Sequence, residues 1–422
     1  SIPLIESVSI DKSDHGVIIR HITDGSITRA VIRDIEITNS MYKAMILDKE
    51  DRTNYTNYQT AVIDGLTIDG TGSQGAKTPG IATAALEINA TGAWIENADM
   101  DNNAAVGIKL YFVDSTTIFT NLSINNTGGS GTGANAAGIS VRSSYFAPTF
   151  HNLSISNSPG PAVFARNGGA IQGTVWDLNN NGQQGFYIES AASIVDDLYL
   201  HNNSDSGVHV FDARYVYLSN LTSENNGNAG LEFTKANDIE STSGDVSCRN
   251  CTSKNDAKGV IITDSVDLHL DGLNIHDPLS GSPITADNSG LNIGVQGGLF
   301  HLSNVTTWTN NSVPSISINA AEAVLDGISM NGMHSGIDWN ADHNVERNSV
   351  LSNTTFSGTG CLNLSNHGQL FGTGNIIGND CTGELNFSNV KLNWSLFEDA
   401  GIHILNVDTD SQIHLNQPTN IS

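Results

Sequence analysis

The sequence predicts an all-β protein, a solenoid of short parallel strands in about sixteen rungs running through residues 1–422 as one domain. Three observations predict it. A short motif recurs along the whole chain. Helical periodicity is nearly absent. Glycine is abundant, at 42 residues, while charged residues make up only 15%. Repeats are sought first, because missing them miscasts the whole fold.

Each repeat opens with a longer strand: apolar, Asn or Asp, apolar, polar, apolar, then Asn-rich polar residues. A second, shorter strand follows as Gly, apolar, any, apolar. One copy is Leu218-Ser219-Asn220-Leu221-Thr222-Ser223-Glu224-Asn225-Asn226 with Gly230-Leu231-Glu232-Phe233. Another is Asp196-Asp197-Leu198-Tyr199-Leu200-His201-Asn202-Asn203 with Gly207-Val208-His209-Val210. Alternation of apolar and polar residues is the period-2 mark of a strand with one buried face. The second strands begin at Val17, Met45, Leu86, Ile108, Ile139, Val163, Phe186, Val208, Leu231, Val260, Leu291, Ile316, Ile337, Leu362, Leu385 and Ile402, mostly 21–25 residues apart. Insertions interrupt the pattern near 49–58, 70–80 and 277–289.

The turns explain the rest of the composition. Glycine before the second strand permits a positive φ. Paired asparagines (102/103, 125/126, 202/203, 225/226, 310/311) fall at one turn of successive copies. Asn tolerates the left-handed region, and its amide can bond to the amide one rung away. Charge is scarce because stacked like charges repel.

On the rung pattern, the Gly-apolar-any-apolar strands and the asparagine ladder, the whole chain resembles a right-handed parallel β-helix of the pectin-lyase-like superfamily. The resemblance implies a rod whose core is a continuous column, roughly 75 Å long at about 4.8 Å per rung. Its function stays open, because lyases, hydrolases, phage tailspikes, adhesins and surface proteins share the fold. Enzymes of this kind act on polysaccharides in a groove along one outer face. The Ca²⁺-binding Asp clusters and the paired-Asp, His and Arg motifs of pectate-lyase-like and polygalacturonase-like members are not found here.

Four cysteines fit a secreted chain. Cys361 and Cys381 lie about one rung apart and suit a rung-to-rung disulfide. Cys248 and Cys251 form a CxxC without a second ligand pair for zinc. On the rung pattern they take the places of Leu218 and Leu221, a core pair, bridged or free. Fifteen Asn-x-Ser/Thr sequons occur, at Asn54, Asn89, Asn121, Asn125, Asn152, Asn202, Asn220, Asn250, Asn304, Asn310, Asn353, Asn363, Asn386, Asn393 and Asn420. Exposed sequons on an extracellular rod are N-glycosylation acceptors. Asn121, Asn152, Asn220, Asn250 and Asn304 share one turn position, so part of this sequon set is structural.

The net charge of −26, with 18 Lys plus Arg against 44 Asp plus Glu, excludes sequence-independent nucleic-acid binding. No apolar run is long enough to span a membrane. The start Ser1-Ile2-Pro3-Leu4 has no basic leader, so the chain reads as a mature product or as one excised from a longer precursor. Asp11-Lys12-Ser13-Asp14 and Asp408-Thr409-Asp410 are segments that could hold Ca²⁺, the one cofactor considered, though neither matches a known loop.

The outward residues of the second strands supply the catalytic candidates. They run Lys109, Ser140, Phe164, Tyr187, His209, Glu232. Stacking sets Tyr187, His209 and Glu232 about 4.8 Å apart in a row. His beside Glu could serve as a general base, Tyr as an acid, and Phe164 could stack on a sugar. A solvated polar face would show the same residues.

Two functions follow. The preferred one is a non-catalytic extracellular structural protein, a glycosylated rigid rod that assembles with itself into a surface layer or filament, or acts as an adhesin with a glycan partner. Open solenoid ends invite stacking. Residues 1–52 hold seven basic residues while residues 259–422 hold sixteen acids and two bases, a polarity suited to head-to-tail contact. The alternative is a polysaccharide lyase or hydrolase centred on Tyr187, His209 and Glu232.

Overall fold

The computed structural model describes residues 4–21, 30–49, 59–72, 84–113, 115–129, 133–143, 147–236, 245–265, 268–280, 282–287, 300–309, 314–319, 323–332, 336–341, 348–356, 362–366, 369–377, 384–388, 391–399, 404–407 and 412–415, with backbone alone beyond residue 371. The chain divides into two compact units, Ser1–Val208 and His209–Ser422. Both are built of parallel strands. The described residues hold a single short 3₁₀ turn, Gly133–Asn135, and no helix long and apolar enough to cross a membrane. The fold is an all-β, right-handed parallel β-helix, the hand that parallel crossovers take.

The long strands owe their shape to one residue each. Along Ala30–Thr38 the buried positions are Ala30, Ile32, Ile35 and Ile37. A simple period of two would turn Ile35 and Ile37 outward. Asp34 sits at φ 50°, and this left-handed residue resets the phase so that the apolar side chains on both sides of it point inward. Asn97, Asn121, Asn152 and Asp197 repeat the device in the N-terminal unit, and Asn220, Asn250, Asn304 and Asn353 in the C-terminal one, all with φ between 48° and 56°. Where the kink residue is glycine, the preceding residue is Asp: Asp64-Gly65, Asp271-Gly272 and Asp326-Gly327. Gly272 needs its identity twice over. Its φ is 68°, and a Cβ there would lie 2.9 Å from Asn250 Oδ1.

The kinks carry an exposed amide ladder. Asn97 Nδ2 donates to Asp64 Oδ1 (2.8 Å), Asn121 to Asn97 (2.9 Å) and Asn152 to Asn121 (2.8 Å). In the C-terminal unit Asn250 donates to Asn220, Asn304 to Asp271 and Asn353 to Asp326. The asparagines just past the long strands form a second, buried ladder. Asn181 and Asn203 are almost wholly enclosed, and Asn181 donates from both its backbone N and Nδ2 to Asn203 Oδ1, at 3.1 and 2.9 Å. Buried amides of this kind must be satisfied, and stacking satisfies them rung by rung. In pairs 102/103, 202/203 and 225/226 the first Asn takes the positive φ and the second is buried. The 125/126 pair is one residue out of step. Asn125 ends the strand, Asn126 takes the positive φ, and Thr127 is the buried member. Asn310 and Asn311 lie outside the described residues.

The short strands stack as expected in the N-terminal unit, with Val17, Met45, Leu86, Ile108, Ile139, Val163 and Phe186 in one register. In the C-terminal unit two expected starts move. Val260 pairs with Ile284, and Ile284 with Ile316, so a strand, Ile284–Asp287, occupies the stretch expected to be an insertion. Leu291 lies outside the described residues. Leu385 pairs with Leu405 rather than Ile402. Both stretches offer two overlapping apolar alternations, and only pairing with the neighbouring rung chooses between them.

Large side chains fill the N-terminal core. Phe119 and Phe150 stack at 4.6 Å, and Trp176 packs edge-on to Phe150 and to Phe186. The buried Trp176 donates from Nε1 to the Phe150 carbonyl at 3.1 Å. In the C-terminal unit Cys248 and Cys251 flank the kink at Asn250, pair in register with Leu218 and Leu221, and are joined by a disulfide. Cys361 and Cys381 lie outside the described residues.

Candidate functional site

The three expected site residues fall in different surroundings. Tyr187, on Phe186–Glu189 of the N-terminal unit, stacks flat on Phe164 with centroids 4.8 Å apart. Phe164 is only 3% exposed, because Ala134 and Ala137 of the segment after Ile118–Asn125 lie on it. That segment is tied down by Gly133 N donating to Gln183 Oε1 (3.2 Å) and by Gly160 N donating to the Ala136 carbonyl. Phe164 is therefore not a sugar platform, and Tyr187 packs against the same cluster. A run of small residues forms this roof, and small residues carry no apolar signal that would reveal it.

His209 and Glu232 are brought together in the C-terminal unit, on Val208–Phe211 and Ala229–Thr234. His209 Nε2 lies 3.8 Å from Glu232 Oε1, and both side chains are mostly buried. Asn228 Nδ2 holds the other carboxylate oxygen at 3.0 Å. The pair can exchange charge but is longer than a hydrogen bond.

Several other candidates are also placed. Asn89 is buried, against the expectation of an exposed sequon, because it sits on Ala84–Asn89 where the short strand turns inward. In Asn121, Asn152, Asn250, Asn304 and Asn353 the glycosylatable nitrogen donates in the kink ladder, and Asn363 Nδ2 donates to Asp338 at 2.9 Å. The side chains of Asn386 and Asn393, and Asn54, Asn310, Asn420, Asp408 and Asp410, lie outside the described residues. Asp11 is a ladder acceptor, and donation from Asn39 and Thr38 holds its carboxyl below the usual range. Among the described residues no three His, Cys, Asp or Glu side chains converge as metal ligands would.

The long strands present a cluster that the sequence reading passed over. Asp177 stands in register with Tyr199, and Asn179 with His201. The Tyr199 and His201 rings stack at 4.4 Å. Asn202 Nδ2 lies 3.0 Å from His201 Nδ1, which leaves the ring proton on Nε2, 3.1 Å from Asp177 Oδ1. Asn179 Nδ2 donates to the same oxygen at 3.0 Å. Asp177 is half exposed, and among the described residues its Oδ2 carries no partner. The array thus offers an aromatic face 37% exposed, an open carboxylate oxygen and a fixed imidazole. Aligning the paired asparagines 180/181 and 202/203 would have found it, because that alignment sets Asp177 beside Tyr199. Among the described residues Trp94, Tyr199, Tyr215, Tyr217 and Trp308 are the exposed large aromatics, and all lie on or beside long strands.

Comparison with known proteins gives the fold. A family model described as "Right handed beta helix region" matches residues 137–293. No curated protein matches the chain. The chain is similar to the A-module of a mannuronan C-5 epimerase from Azotobacter vinelandii (10% identity, 92% of this chain and 91% of that one, TM-score 0.31). It is similar to the catalytic domain of a GH87 α-1,3-glucanase (11% identity, 94% and 68%, TM-score 0.39). It is also similar to the receptor-binding domain of the Siphovirus 9NA tailspike (9% identity, 100% and 74%, TM-score 0.32).

Proposed function

We propose that the protein is a non-catalytic, glycan-binding adhesin of an extracellular surface, which takes a neutral sugar at Tyr199. The observation that carries this reading is the Tyr199–His201 stack beside the open oxygen of Asp177. A pyranose ring has an apolar C–H face and a rim of hydroxyls. The aromatic ring covers the first, and the carboxylate and amides take the second. Asp177, with Asp196 and Asp197 one rung away, would repel an anionic sugar. The disulfide and the sequons support an oxidising, extracellular setting. Calorimetric titration against a panel of neutral and acidic oligosaccharides tests the reading. A neutral glycan should bind, and Tyr199→Ala and Asp177→Asn should each weaken it roughly tenfold with Tm unchanged. No binding by any neutral glycan, or binding that survives both changes, would sink it.

A second reading, a polysaccharide lyase or hydrolase, is favoured by one observation, the mostly buried His209–Glu232 pair. Its expected outcome is polysaccharide turnover that Glu232→Gln and His209→Ala abolish without loss of thermal stability. Absence of turnover across the same panel would reject it.

A further inference from the structure

The short-strand face of the N-terminal unit carries a cluster of basic residues. Several described bases of this acidic chain pair with acids: Arg33 with Glu6, Lys43 with Glu87, Lys254 with Glu224. Lys109, Arg142 and Arg166 do not. They stand on three successive short strands, Val106–Tyr111, Ile139–Arg142 and Val163–Arg166. Lys109 pairs in register with Ser140, and Arg142 with Arg166.

Lys109 is 5% exposed. Among the described residues its ammonium meets only the Tyr111 ring, 5.2 Å from Nζ to the centroid. The register neighbour that could neutralise it, Glu87, is held by Lys43 at 2.8 Å. The Arg166 guanidinium lies over the Phe164 ring at 5.4 Å, and its Nε is buried with no hydrogen-bond partner among the described residues. Glu189 is its register neighbour, yet no ion pair forms between them within 4.0 Å. Ser140, in register between Lys109 and Phe164, is buried at 3%. Burying an ammonium and a guanidinium edge without an acceptor is costly. Lys109, Ser140, Arg142 and Arg166 can all donate, and the flanking carboxylates are Glu87, engaged by Lys43, and Glu189.

We propose that Lys109, Ser140, Arg142 and Arg166 form a binding site for a compact oxyanion, a sulfate or a carboxylate. Arg166 offers the planar fork that suits such groups, Lys109 a buried point charge, and Arg142 an exposed arm at the rim. The site is independent of Tyr199 and opposite to it in charge preference.

The test is calorimetric titration of the full chain with sodium sulfate against sodium chloride at equal ionic strength, and with sodium glucuronate against glucose. Saturable binding of sulfate or glucuronate, absent with chloride and glucose, is expected. Sulfate alone identifies a free inorganic anion as the ligand, and tighter glucuronate binding identifies an acidic sugar. Both uphold the site. Arg166→Gln should raise Kd roughly tenfold, and the exposed Arg142→Gln severalfold. Should Arg166→Gln fail to fold, Arg142→Gln still decides, since it lies on the surface. Absence of saturable binding to either anion, or variants that bind as tightly as the parent, would overturn the proposal.

Discussion

Val175 sits at the kink position of its long strand, with φ 60° and its side chain 53% exposed. A β-branched residue in the left-handed region is a genuine outlier, and the conformation costs roughly 1–2 kcal/mol for a residue other than glycine. Asn occupies the equivalent place one rung earlier, at Asn152. Among the described residues Asn152 uses its Nδ2 on Asn121 and has no donor on its own Oδ1. Val175→Asn should therefore relieve much of the strain, because Asn tolerates this region. It should also add one exposed hydrogen bond, at the low end of the usual 0.5–1.5 kcal/mol. The sum is a gain of about 1–2 kcal/mol. For a unit of this size that is a rise in Tm of about 2–8 °C. Differential scanning calorimetry or a urea titration reads it, and the m-value should not change. Val175→Gly separates the two contributions. It relieves φ without supplying an amide, and its extra freedom in the unfolded chain offsets about 0.5–1 kcal/mol, so its gain should be small. A Val175→Asn protein no more stable than the parent, or one matched by Val175→Gly, would refute the ladder as a source of stability.

Two further outcomes follow from the buried residues. Asp256 is fully buried in the inner ladder where Asn stands in other rungs, accepting from Asn226 N and Nδ2 and from Ser253 Oγ, and burial pushes its carboxyl above the ordinary range. A carboxyl raised in the folded state favours folding at low pH and loses that contribution as pH rises from its unfolded value of 3.8 through its folded one; Asp256→Asn should therefore raise Tm at pH 7, with the gap closing below pH 4, and a variant less stable at pH 7 would contradict this. Trp176→Ala removes an indole that touches Phe150 and Phe186 and should cost about 3–5 kcal/mol; a urea midpoint shift worth under 1 kcal/mol would mean that the aromatic column is not what holds these rungs.

What the sequence discloses and what it hides both follow from how a rung is built. Inward residues repeat because each must fit its neighbours above and below, so Ile35, Leu122, Leu153 and Leu221 announce the long strands. The kink asparagines repeat because few residues accept the left-handed region. Neither constraint acts where two alternations overlap, as at Ile284 against Leu291, and there only pairing in space decides. Outward residues answer to no packing rule and stay ambiguous in a linear reading. Tyr187, like His209 and Glu232, is legible as an outward residue of a short strand. Its character was not, because the roof over Phe164 is made of glycine and alanine, whose burial leaves no pattern. The same ambiguity hid Asp177 and Tyr199, whose proximity depends on counting back from paired asparagines one rung apart. Unpaired cations are a better guide to function than rows of plausible residues. Lys109 is 5% exposed, and the Arg166 Nε is buried without a hydrogen-bond partner among the described residues, so each is costly to bury unless an acceptor meets it. Glu87, bound to Lys43, is not free to be that acceptor for Lys109. The proposed anion site would account for that arrangement.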